Sequence, residues 1–430
     1  MARLLRPLRG RDYALLFGAT TISLVGDGVF LMALAWQVFR LSNVPTAMSA
    51  VGLAMSIPHL VLLLPGGVVS DRWDRRRVMI VADTARALIV TVLGVVTLSG
   101  HLRLWHVLAL MAAYGAATAF FGPAFDALVP DVAPPDLLPQ ANALDQLLRP
   151  LALRLVGPML GGWMTALLGT GPVFVFDAAT FAAAIGLLVF VRTRGRQPAG
   201  PGLAPVGVGG PGSVVAEMAE GFRYVRSEVW LWGTFLAASL GYLLFLGPSE
   251  VLLPFIVKND IGRSAGALSM VLGAGGVGAL GAALLVGSRR LPRRHMAYVY
   301  AAWSFATLAV AGYGVAHHVW QLMACSAVFH AFETAGLIVW TTTKQRLVPT
   351  RLLGRVCSFE WFIAVGLVPA SFALTGPVAA RFGARPTLVV AGIAGAVVTM
   401  AFLFLPGMLA ARSSDDEAVV IPAPVLAAAA

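Results

Sequence analysis

Apolar residues run along this chain in blocks of about 20, the length that carries an α-helix across ~30 Å of hydrocarbon, and short turns rich in arginine, proline or glycine separate the blocks. The pattern predicts spans near 13–39, 47–69, 77–99, 104–128, 144–168 and 171–191, and again near 229–257, 264–288, 296–315, 319–344, 355–380 and 385–410. The expected fold is therefore an all-α membrane protein with twelve transmembrane helices in two six-helix bundles, 1–191 and 229–410. Between them, 192–228 opens with Arg192, Arg194 and Arg196, passes through PAGPGLAPVGVGGPG and closes with VVAEMAEGFRYVRSE. Its middle reads as a flexible cytoplasmic linker and its end as an amphipathic helix along the membrane surface. Residues 411–430 read as a disordered cytoplasmic tail.

Composition strengthens this picture. Hydrophobic residues make up 58% of the chain and charged residues 12%, about half the charge of an ordinary soluble domain. The mean hydropathy is +0.83, so lipid must serve as solvent for much of the surface. The net charge of +11 does not point to nucleic acid, because the basic residues sit in short turns and form no stripe. They act as topology signals instead, since lysine and arginine are retained in the cytoplasm. Of the 31 basic residues, Arg40, Arg103, Lys258, Arg263, Arg381 and Arg385 fall on one side, Arg86, Arg149 and Arg154 fall within helices, and the other 22 fall on the side of the termini. Both termini are thus expected in the cytoplasm of a bacterial cell whose inner membrane holds the chain. The start, MARLLRPLRGRDYALLFG, reads as a cytoplasmic arm entering the first span and not as a cleaved signal. Cys325 and Cys357 lack metal or redox spacing, and no metal site is expected.

The loop after the second span reads Gly67 Val68 Val69 Ser70 Asp71 Arg72 Trp73 Asp74 Arg75 Arg76 Arg77. It resembles the GxxxDRxGRR signature of the major facilitator superfamily. Gly67 would let a neighbouring helix approach, Asp71 would accept hydrogen bonds from a helix N-terminus, and the arginines would pair with carboxylates or lipid phosphates. Asp74 stands where the signature has glycine. In the fifth span Gly157 Pro158 Met159 Leu160 Gly161 Gly162 resembles the GPxxGG motif of the drug/proton antiporter branch, in which proline bends the helix and the glycines permit tight packing. Arg11 Asp12 Tyr13, Gly26 Asp27, Ala141 Asn142 Ala143 Leu144 and the run Gln345 to Arg355 resemble the branch containing macrolide efflux proteins and enterobactin exporters.

The resemblance implies that the two six-helix bundles are pseudosymmetric and rock about a central cavity, the major facilitator fold, with proton influx driving export of an amphiphilic small molecule. It also implies that no cofactor is needed, that protons and lipid are the other partners, and that the chain acts as a monomer. Two departures stand out. The arginine that many antiporters carry in the fourth span is absent from MAAYGAATAFFGPAFDAL, and Gly287 Ser288 Arg289 Arg290 Leu291 Pro292, the second-half counterpart of the loop signature, lacks its aspartate.

An ionisable side chain near the bilayer centre costs a few kcal/mol, so each is a candidate functional group. Asp27, Glu250, Glu333 and Arg154 are the candidates for binding substrate or proton. Asp27 sits halfway along the first span and is expected to face the cavity, while Arg154 is the candidate replacement for the missing fourth-span arginine. Asp145 and Arg149, four apart, read as a local ion pair. Gly67, Asp71, Arg72, Arg75, Arg76, Asp126 and Arg355 are assigned to a cytoplasmic gate, joined by Asp83, Arg86 and Glu360. Asp177, His59 and His330 read as structural hydrogen-bonding groups. Gly276 to Gly281 matches GxGxxG inside an apolar span and reads as helix packing, and no Walker, HExxH, GxSxG or CxxC pattern occurs, so an enzyme is not expected. The alternatives left open are an uptake symporter for a small nutrient and a membrane sensor with a transporter-like fold.

Overall fold

A computed structural model describes residues 5–134, 137–193, 211–287, 292 and 294–410; the core of the predicted linker and the whole predicted tail lie outside them. Among the described residues the regular structure is helical throughout. The first four spans are α1 (Arg11–Leu41), α2 (Pro45–Arg72), α3 (Arg75–Leu98) and α4 (Leu104–Val132). The fifth joins α5 (Leu138–Pro150) to α6 (Gly157–Leu168) through a π-helical turn, Leu151–Val156, and the sixth is α7 (Thr170–Val189). After α8 (Pro211–Ser227), which packs on later helices, come α9 (Val229–Phe255), whose end is a π-helical turn at Ile256–Asp260, α10 (Ala265–Gly287), α11 (His295–Val315) and α12 (Val319–Leu347). The eleventh span is split into α13 (Thr350–Gly366) and α14 (Val368–Phe382), where Pro369 lacks the N–H that would carry the helix through, and α15 (Ala384–Phe402) closes the chain.

Eleven of these spans are long and apolar enough to cross a membrane. α11, 21 residues long, falls outside that set because Tyr298, Tyr300, Trp303 and Tyr313 lower its hydropathy. The last span stops short of the expected 410: α15 ends at Phe402, and Gly407, at φ +90°, turns the chain after Pro406. Large apolar side chains such as Val61, Trp163, Leu167 and Val390 point outward along the spans, as a surface solvated by lipid requires.

α1, α3, α4 and α7 pack on one another, as do α2 and α4, while α9, α11, α12 and α15 form a second set with α10 and α14. The two sets meet along two seams, α2 on α14 and α6 with its π turn on α10. On the second seam a Cβ at Gly276 would stand 2.6 Å from Leu155 Cβ, and one at Gly273 2.9 Å from Met159 Cγ. The contact is asymmetric along the membrane normal. α14, the half of the eleventh span away from the termini, packs on α2, whereas α13 packs on α8 and α9. The halves therefore converge on the face away from the termini and part towards the terminal face.

Gly67 does not do what the loop signature suggests. A Cβ there meets nothing within 4 Å, whereas at Gly66 it would stand 2.5 Å from the Ala119 carbonyl oxygen of α4. The close approach that needs glycine is one residue earlier. Gly66→Ala is expected to lower stability by about 1–3 kcal/mol through overpacking, and Gly67→Ala to leave it unchanged or raise it by up to ~1 kcal/mol through helix propensity. Thermal melts of the two purified variants in detergent separate these outcomes.

Candidate functional site

The fifth span is where the halves exchange a charged contact. Pro158 has no N–H to give the Arg154 carbonyl, and the helix answers with a π turn in which the Gly157 N–H bonds to the Ala152 carbonyl instead. GPxxGG works on both sides of this turn. Gly157 lies against Gly28 of α1 and Gly161 against Val29, where added Cβ atoms would stand 2.6 Å from Gly28 Cα and 2.7 Å from the Val29 carbonyl oxygen. Gly162 faces Ser269 of α10. The motif thus clamps the fifth span between the first span and the second half, as its glycines suggest, while the proline resolves into a π turn.

Held in this turn, Arg154 forks onto Glu333 of α12: Nη2 donates to Oε1 at 3.2 Å and Nη1 to Oε2. Glu250 of α9 is solvent-accessible and lies within electrostatic reach of both. One guanidinium thus faces two carboxylates at the seam between the halves, which are three of the four residues expected to bind substrate or proton. Tyr242 and His330 stand in the same field. His330 Nδ1 is 2.9 Å from the Ser326 carbonyl, the structural role expected of it. Beside Glu333 opens a cavity of about 70 Å³ walled by Tyr242, Phe245, Trp303 and Phe329. It is smaller than the ~300–1,000 Å³ of sites for drug-sized ligands, so a substrate of that size also needs the space between the halves.

Asp27, the fourth expected residue, does not face that space. Its carboxylate accepts from Tyr114 Oη of α4 and from Arg86 Nη1 of α3 at 3.3 Å, and its side chain is 13% exposed. The physical reason is the small face of α1. Gly28, next to Asp27, is pressed on the fifth span and Gly26 on Asp177 and Thr180 of α7, which turns the intervening side chain into the first bundle.

The expected gate is likewise rearranged. Arg86 lies eleven residues into α3, about 16 Å from its start at 1.5 Å per residue, so it and Asp83 belong to the bundle interior and not to a cytoplasmic latch. Arg75 pairs with Asp131 at 2.6 Å, within the first half, and donates to the Ala127 carbonyl. Arg76 holds the Val189 and Val191 carbonyls at the end of α7. Arg355 pairs with Glu220 of α8 at 2.7 Å, and Glu360 takes Lys344 and Trp340 of α12. Arg72 is exposed, Asp126 lies in the field of Arg149, and Arg149 bonds Asp145 at 2.8 Å as expected of a local pair. The side chain of Asp71 is outside those described. Asp74 caps α3, its Oδ1 accepting from the Arg77 N–H at 2.9 Å, so the residue that departs from the signature serves the helix N-terminus. With the halves parted on this face, their gate residues find partners within their own half or on α8.

The opposite face carries a contact that sequence reasoning missed. The π turn ending α9 aims Lys258 at the Phe39 carbonyl and at Asn43 Oδ1, 3.1 Å away, and Asn259 receives Asn43 Nδ2. Polar loop residues of this kind carry no signal until both halves are in place. By contrast, two family-like segments do meet: Tyr13 Oη donates to the Ala141 carbonyl at 3.1 Å, and Asp12 Oδ1 accepts from the Arg192 N–H at 3.0 Å.

Comparison with known proteins agrees with the fold. The profile of the family described as transmembrane secretion effector matches residues 2–429. The multidrug efflux pump Tap of Mycobacterium tuberculosis is 28% identical over 437 residues, covering 96% of this chain and 98% of that protein. Macrolide efflux protein A of Streptococcus pyogenes is 22% identical over 379 residues, covering 88% and 91%. Among solved structures, a bacterial homologue of the human lysosomal transporter Spinster, inward-facing and unoccupied, superposes with a TM-score of 0.67 at 16% identity over 95% of this chain and 99% of that one. The nucleoside transporter NupG gives 0.66 at 12% identity over 91% and 98%. At these identities the structures speak for the fold.

Proposed function

The chain belongs to the transmembrane secretion effector family of the major facilitator superfamily, and from that premise we propose that it exports amphiphilic small molecules in exchange for protons. It is a multi-pass membrane protein and a secondary transporter of small molecules, not an enzyme. The names of its relatives support drugs such as macrolides as the class of cargo, and the resemblance of its sequence segments to enterobactin exporters adds siderophore-like metabolites. The observation that carries the reading is the triad at the seam. Arg154 comes from the first half, Glu333 and Glu250 from the second, and the two halves part towards the terminal face. Rocking of 1–191 against 229–410 would separate Arg154 from Glu333 and open the space between the halves to the other side. A cationic or protonatable cargo, or a proton, competes with Arg154 for the two carboxylates, and this competition ties loading to the change of state.

The excess of arginine on the terminal side supports a cytoplasmic location for both termini and an inner-membrane setting. The terminal-face opening then faces the cytoplasm, where an exporter loads. No cofactor enters this cycle: the proton gradient drives it. One chain carries both halves of the seam, so a monomer is a complete working unit. Everted membrane vesicles supply the test, with ethidium as the probe. Proton-gradient-dependent ethidium uptake that a protonophore abolishes is the expected result. Absence of uptake by well-expressed protein, together with impaired growth of a deletion strain on one nutrient, would replace export by the uptake alternative.

A further inference from the structure

Away from the seam, the first bundle encloses a second charged cluster. Arg86 of α3 lies at its centre, its guanidinium held between the rings of Phe121 and Phe181, 4.5 and 4.7 Å from their centroids. Asp83, one turn earlier, and Asp27 of α1 both pair with it. Asp177 of α7 completes the set. It lies in the field of Asp27, Arg86 and Asp83, and among the described residues Thr180 alone bonds its carboxylate, Oγ1 donating to Oδ1 at 3.1 Å. Among the described residues, Tyr114 of α4 is the remaining titratable group facing the cluster.

The side-chain count does not balance. Three carboxylates surround one guanidinium, Asp83 is 1% exposed and Asp177 0%, and Oδ2 of each meets no protein donor among the described residues. Buried charge is tolerated only when paired and hydrogen-bonded, and of the Arg86 guanidinium Nη1 is given to Asp27 and Nη2 to Asp83, while Nε meets no acceptor among the described residues. The cation missing from this inventory is small. A metal ion would sit against the guanidinium and be repelled, whereas a proton binds a carboxylate oxygen directly and leaves Arg86 in place. Asp27, with 13% of its side chain exposed, is the one opening to the outside of the cluster.

We propose that Asp27, Asp83 and Asp177, gathered round Arg86, form the proton-binding site of the transporter, entered through Asp27 and seated on Asp177. This deepens the proton-exchange reading and rests on it. The work is then divided: the seam triad meets the cargo, and the first bundle carries the proton. Loss of that proton leaves Asp177 charged and competing with Asp27 for Arg86, which shifts α3 against α1 and so reaches the fifth span through the Gly28–Gly157 contact.

Two measurements on the full chain test the site and its role separately. Infrared difference spectra of the purified protein across pH should show a protonated-carboxyl band that titrates in the wild type and is lost in Asp177→Asn. Spectra unchanged in that variant would overturn the site. Should Asp177→Asn fail to fold, Asp83→Asn gives the same reading, because removing one carboxylate from the set removes the need for the proton. In vesicles, the ratio of ethidium uptake with and without a proton gradient should fall from ~10 to near one in Asp177→Asn. A ratio unchanged in that variant but lost in Glu333→Gln would move proton binding to the seam and overturn the proposal. A wild type with no response to the gradient would instead end the proton-exchange reading, with the infrared band still in place.

Discussion

Arg154→Ala should lower proton-driven ethidium transport in everted vesicles at least tenfold at equal expression, and Arg154→Lys should recover only part of it. The guanidinium forks onto both oxygens of Glu333, a geometry that lysine's single ammonium cannot reproduce. Without it, Glu333 and Glu250 face each other uncompensated at the seam, and the state closed away from the termini loses a tie between its halves. The pair is partly open to solvent, with side-chain exposures of 39% for Arg154 and 21% for Glu333. The loss is therefore expected in transport and in the balance of states far more than in global stability. Arg154→Ala combined with Glu333→Gln should be less damaging than the product of the two single changes, because the second removes the charge that the first leaves stranded. Wild-type proton-driven rates in Arg154→Ala would remove this arginine from the mechanism.

The fold was legible because its cause is compositional. Runs of about 20 apolar residues have few other places to go than a bilayer, and the glycines of the fifth span declared close packing before any partner was known. α11 shows the limit of that signal, since its tyrosines keep it in the membrane while lowering its hydropathy. The site was legible as a set of residue types and only partly as an arrangement. Arg154, Glu250 and Glu333 stand out in sequence as charges in apolar runs, but that they meet follows from tertiary packing of α10, α12 and the π turn. Asp27 was singled out for the same reason and then placed wrongly, because which way a helix turns its polar residue depends on the glycines beside it. The second cluster was hidden more deeply. Asp83 and Arg86 lie close to a basic loop in sequence, and only the rise along α3 carries them into the bundle. Asp177 gave no sign that it shares a guanidinium with Asp27.

Arg86→Ala should cost far more stability than any other single change considered, about 3–5 kcal/mol, the usual consequence of removing one partner from a buried ion pair. Its side chain is 3% exposed, so water cannot take over its role. The substitution strands the carboxylates of Asp27 and Asp83 and leaves Phe121 and Phe181 around an empty volume, which adds the cost of lost packing. The expected readout is a sharp fall in melting temperature in detergent and poor recovery of monodisperse protein. A second substitution separates charge from packing. Arg86→Met keeps much of the apolar stem, and adding Asp27→Asn and Asp83→Asn removes the stranded charges. Recovery of most of the lost stability in that triple variant would locate the defect in uncompensated carboxylates, because a whole buried ionic cluster can be replaced with little loss where half of one cannot. If Arg86→Ala instead melts within ~1 kcal/mol of the wild type, the guanidinium is not the counter-charge of this bundle, and the carboxylates must already be neutral without it.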